Sequence, residues 1–114
     1  MLSLHASASP VDLLVLLVLA HFLCDFSLQS DRMAREKVPG ADHTLNWRWW
    51  LLGHSASHGL AVALITGVPL LGLAETALHG LIDWCKGRYR LSMALDQSLH
   101  LLCKLAWVGW MVCS

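Results

Sequence analysis

The sequence predicts an all-α fold, a four-helix transmembrane bundle, on three observations. Of the 114 residues, 56% are apolar and 14% charged, with mean hydropathy +0.55; an ordinary soluble domain carries ~25% charged residues. The apolar residues gather into four runs of ~17–22 residues, each long enough to cross a ~30 Å hydrocarbon core as a helix. Turn signals and basic clusters separate those runs. The mass of 12.6 kDa allows one domain, residues 1–114. Eight basic residues balance eight acidic ones, so no global field recruits nucleic acid.

The first span covers about residues 11–29, started by Pro10 and Asp12 and followed by Arg32, Arg35 and Lys37 as a stop-transfer flank. Residues 31–47 are polar and contain Pro39-Gly40, which predicts a short polar loop with room for one small surface helix. The second span covers about 49–66. Gly67-Val68-Pro69 then makes a tight turn, with Pro69 suited to a first helical position. The third span covers about 69–85 and the fourth about 91–112.

The small-residue stretch Ala6-Ser7-Ala8-Ser9 precedes the first apolar run and has no basic segment before it, the wrong order for a cleaved signal peptide. Cys24, Cys85, Cys103 and Cys113 show no Cys-x-x-Cys spacing and read as small buried apolar residues.

With four spans, the 30–48 and 86–90 loops share one side. They hold Arg32, Arg35, Lys37, Arg48, Lys86, Arg88 and Arg90, seven of the eight basic residues. The positive-inside rule puts both loops in the cytoplasm and both termini outside. Trp47, Trp49, Trp50 and Trp84 lie at the basic end, with Trp107 and Trp110 towards the other, as an aromatic belt requires.

Every span carries ionisable residues at helical spacing: His21 and Asp25, with Gln29 one turn on; His54 and His58; Glu75, His79 and Asp83; Asp96 and His100, then Lys104. At ~1.5 Å per residue from the cytoplasmic end, Asp25, His54, Asp83 and Asp96 lie ~4–8 Å deep and His21, His58, His79 and His100 ~10–14 Å. Four antiparallel helices thus bring their His and carboxylate groups to one layer. Four carboxylates and a lysine facing lipid unpaired would cost on the order of 10–15 kcal/mol. They must face each other, water or a cation. A divalent metal accounts for the mixture, since neutral imidazole and carboxylate are ordinary metal ligands. Glu75 and Lys104 lie deeper, at similar depth, and are expected as a ligand candidate or a buried ion pair. His5 and His43 fall outside the spans and are expected to be solvated.

His21-Phe22-x-x-Asp25-Phe26-x-Leu28-Gln29, Lys37, His54, His79-x-x-Ile82-Asp83-x-x-Lys86 and Asp96-Gln97-x-x-His100 resemble a family of small bacterial membrane proteins, domain of unknown function 3307. The resemblance covers nearly the whole chain. It implies a helical protein of the bacterial inner membrane and no assigned activity. A looser similarity, in residue type, is to bacterial membrane-bound metal-dependent hydrolases.

The leading functional reading is an intramembrane metallohydrolase acting on a lipid-linked or amphipathic substrate at the cytoplasmic leaflet. His21, Asp25, His79, Asp83, Asp96 and His100 are the candidate ligands for one or two ions of zinc, manganese or iron. His54 or His58 supplies a further ligand or the general base, and Gln29 and Gln97 orient ligands or substrate near the mouth. Arg88 and Arg90 are candidates for holding a phosphate headgroup, though positive-inside anchoring also accounts for them. The alternatives are a metal or proton carrier subunit, a b-type haem protein, and a structural or partner-binding subunit whose polar layer fixes helix register in a homo-oligomer or larger membrane complex. The stretches Leu13–Leu19, Ala61–Ile65 and Ala106–Met111 offer no continuous polar path, which weighs against the carrier. Ser55 and Ser57 lack a nucleophile elbow; with Gly53, Ala56 and Gly59 they read as close helix packing.

Overall fold

The computed structural model describes residues 9–40 and 45–114, and among these every regular element is helical. His5 and His43 lie outside the described residues. α1 spans Pro10–Phe22. Its start is a capping box, in which Asp12 N–H donates to Ser9 Oγ at 3.1 Å and Ser9 N–H to Asp12 Oδ2 at 3.3 Å. The helix continues into one π-helical turn, Leu23–Ser27, closed by a bond from Leu28 N–H to Leu23 O at 2.9 Å. A short helix, α2, follows at Asp31–Glu36, with Ser30 capping Met33 N–H. α3 spans Trp47–Thr66, α4 Pro69–Tyr89 and α5 Met93–Cys113.

The expected breaks fall where turn chemistry puts them, with shifted ends. Gly67 takes the left-handed conformation (φ 73°), its N–H closing onto Ala63 O, and Pro69 opens α4. α4 runs through Tyr89, so Lys86 and Arg88, expected in a loop, occupy its last turn, where cations suit the helix dipole. α5 starts at Met93 instead of Leu91, because Ser92 accepts from Leu95 N–H and sets the cap.

α3 and α4 pack most closely, at Gly59 and Gly72. A Cβ on Gly59 would lie 2.5 Å from Gly72 O, so only glycine lets the backbones approach this far. Gly53, grouped with it from the sequence, faces open space.

The bundle divides lengthwise. Leu13, Leu17, Val62, Ile65, Leu71 and Trp107 make an apolar core in one half. The other half is polar inside. Among the described residues thirteen polar or charged side chains are buried against seven apolar ones, and large apolar side chains cover the outside of all four long helices. Lys104 is 1% exposed and Leu73 68%. That is the reverse of a water-soluble bundle.

By length and composition, one helix among the described residues, Pro10–Ser27, is long and apolar enough to cross a membrane. α3, α4 and α5 have the length, at 20, 21 and 21 residues, but their buried His, Asp, Glu and Lys lower their mean hydropathy.

Candidate metal centre

Helical spacing places each set of polar groups on one face, and the packing turns all four faces inward. His21, Asp25, His54, His58, His79, Asp83, Asp96 and His100 are all buried and meet in one knot. The π-helical turn carries Asp25 into its middle. Such a turn adds a residue to one helical circuit and commonly marks a functional position.

Asp25 Oδ1 lies 3.1 Å from His54 Nε2, 3.2 Å from His58 Nε2 and 3.6 Å from His79 Nε2, while Oδ2 faces His21 Nε2 at 3.6 Å. His54 and His79 bring their Nε2 atoms within 3.2 Å of each other. Asp83 Oδ2 lies 3.3 Å from His54 Nε2 and 3.5 Å from His79 Nε2, and its Oδ1 is 3.2 Å from His100 Nε2. His100 Nε2 is also 3.3 Å from Asp96 Oδ1. Two ligands ~2.0–2.1 Å from one tetrahedral ion lie ~3.3 Å apart, the spacing that recurs here. Asp25 with His54, His58 and His79 forms a compact four-donor group; His21 with His79 and His100, and Asp25 with Asp96 and His100, form two more. Asp25 and Asp83 each turn different oxygens to different histidines, so either can bridge two positions.

Hydrogen bonding does not use up these atoms. His58 Nε2 and Asp96 Oδ1 are buried without a hydrogen-bond partner, although each lies beside a ligand-type atom. A buried polar atom left unbonded costs ~1–3 kcal/mol, and a cation in the donor group to which each belongs would satisfy it.

Gln97 ties the knot together. Its Nε2 donates to Asp25 Oδ2 at 2.9 Å and Asp96 Oδ2 at 3.0 Å, and its Oε1 sits 2.9 Å from His21 Nε2. Gln29 does not reach the donors: its Nε2 donates to the Asp25 main-chain carbonyl at 2.9 Å and steadies the π turn.

Two lysines read from the sequence as membrane flanks belong to this site. Lys37 donates to Asp83 Oδ2 at 2.9 Å and Lys86 to Asp96 Oδ2 at 3.2 Å. Lys37 arrives because the segment after α2 folds back on the end of α4, with Val38 against Gly87. The signal available in the sequence was that both lysines stand among the residues carrying the family resemblance; helical spacing alone pointed to neither partner. Asp25 alone of the three aspartates has only His and Gln partners.

Deeper in the bundle lies a second polar group, which touches the knot where His79 Nδ1 stands 3.9 Å from Glu75 Oε1. Lys104 Nζ bonds Glu75 Oε1, and Trp107 Nε1 donates to Glu75 Oε2 at 3.1 Å. Trp107, expected at the membrane interface, is therefore an interior residue, drawn in because its indole N–H completes the carboxylate. The cysteines stay outside the knot, free; Cys24 is buried, whereas Cys113 is exposed, contrary to expectation.

Neither a curated protein nor a solved structure matches this chain. Residues 13–113 match the family model described as protein of unknown function (DUF3307), and the chain belongs to that family.

Proposed function

We infer that the protein is an integral membrane metalloprotein that holds one or two divalent cations in its His/Asp knot and uses them to hydrolyse an amphipathic substrate. The observation that carries the reading is the convergence of five imidazole Nε2 atoms on three buried aspartates at 3.1–3.6 Å. Mixed nitrogen and oxygen donors suit zinc, manganese or iron(II). A divalent ion held by Asp25, His54, His58 and His79 would supply Lewis-acid activation of water and of a phosphoryl or acyl group. The protein's own share is the preset donor array, the Gln97 brace and the nearby lysines.

Membrane insertion is supported by the inverted burial and by the concentration of Lys and Arg at one end. That end would face the cytoplasm, with both termini outside. In a bilayer the apolar exterior meets lipid, and α3, α4 and α5 bury the residues that make them look too polar to cross.

The test is metal per chain by elemental analysis of full-length protein purified without chelators. Wild type should carry about one or two ions, and Asp25→Asn should retain less than about a third as much, because the amide keeps the size but loses the charge. Wild type that carries far less than one ion, and takes none up from zinc, manganese or iron, overturns the reading.

A further inference from the structure

Beside the knot, at the basic end of the bundle, lies a cavity of about 410 Å³. Asp83 lines it, so it adjoins the site, and three cationic residues, Lys37, Lys86 and Arg90, line it as well. We propose that this cavity binds the phosphate group of the substrate, an inference that rests on the metal reading.

Charge is the first support. In the structure Lys37 and Lys86 are committed to Asp83 and Asp96, two carboxylates of the knot. With neutral histidines, the three aspartates exceed the two lysines by one negative charge. One divalent ion reverses that to one positive charge, before Arg90 is counted. Were the carboxylates to serve the ion, the ammonium groups would be released and the pocket at the basic end would be left cationic. A group with several negative oxygens restores the balance, and phosphate supplies them.

Backbone geometry is the second support. Arg90 ends α4 at φ 54°, the only described non-glycine residue with positive φ. A side chain there costs roughly 1–2 kcal/mol that glycine would avoid. The chain carries that cost at a residue that lines the cavity. Arg88, the other sequence candidate for a headgroup, instead lies over the Tyr89 ring at 5.8 Å.

The phosphate can belong to a soluble compound or to a lipid headgroup, and the two are separable. Full-length protein loaded with zinc, its metal content measured in the same sample, is titrated with pyrophosphate in a non-ionic detergent. In parallel it is tested in phosphatidylcholine nanodiscs with and without phosphatidic acid. Binding in the first arm identifies a soluble phosphate and binding only in the second a headgroup; either supports the proposal. Lys37→Gln with Lys86→Gln should weaken that binding at least about 30-fold while tightening metal uptake, because the aspartates lose competing cations. If the double variant folds poorly, Arg90→Gly is the second probe; it should weaken binding about five- to tenfold and raise the melting temperature. Metal-loaded wild type that binds neither phosphate, or variants that bind as wild type does, overturn this proposal alone. Wild type that takes up no metal overturns it together with the metal reading.

Discussion

The two buried polar groups of this bundle are both centred on carboxylates and are opposite in character. Around Glu75, one carboxylate meets one ammonium and one indole N–H, each oxygen has a donor, and the apolar core packs beside it. Around Asp25, carboxylate oxygens and imidazole nitrogens crowd together, some with no hydrogen-bond partner. A finished group of the first kind holds helices in register. An unfinished one of the second kind is compatible with a bound cation. Burial alone does not separate them, since both are almost wholly enclosed; completeness of hydrogen bonding does.

Breaking the complete group should have the largest effect. Lys104→Met leaves Glu75 buried without its cation and should cost about 3–5 kcal/mol of stability, read by thermal unfolding in detergent. Adding Glu75→Gln should recover most of that loss, because no buried charge is left unpaired, and the double variant should still take up metal. A double variant that loses its metal would show that the two groups are one system.

Filling the incomplete group comes next. Zinc at about 100 times its dissociation constant should stabilise wild type by about 2.7 kcal/mol and leave Asp25→Asn unmoved. Equal stabilisation of both proteins would mean that the ion binds elsewhere. The smallest effect expected is at the rim: Arg90→Gly relieves the left-handed backbone and should stabilise the apo-protein by about 1 kcal/mol. No gain would mean that Arg90 makes contacts that offset its strain.

The difference between the groups was only partly legible in the sequence. Spacings of four residues place His21 with Asp25, His79 with Asp83 and Asp96 with His100 on shared helix faces, and equal depth predicts that the faces meet. The same depth arithmetic pairs Glu75 with Lys104. It could not bring in Trp107, because depth along a helix says nothing about which way an indole turns. Nor did it recover Lys37, whose partner Asp83 is 46 residues away and is reached only because the chain folds back over α4.

What the sequence determined by itself is what repeats locally: the helices, their caps and turn at Gly67, and the face on which each ionisable residue sits, all set by interactions within a few residues. Tertiary structure decided which groups became complete. The Gly59–Gly72 approach sets the distance between α3 and α4, on which His54, His58 and His79 ride. The π turn brings Asp25 into their midst, and the returning segment gives Asp83 a lysine while Asp25 receives none. Helical periodicity fixes a side chain's direction from its own axis; only packing fixes how far apart two axes lie and how they are rotated. Those last quantities leave one carboxylate closed and the other open.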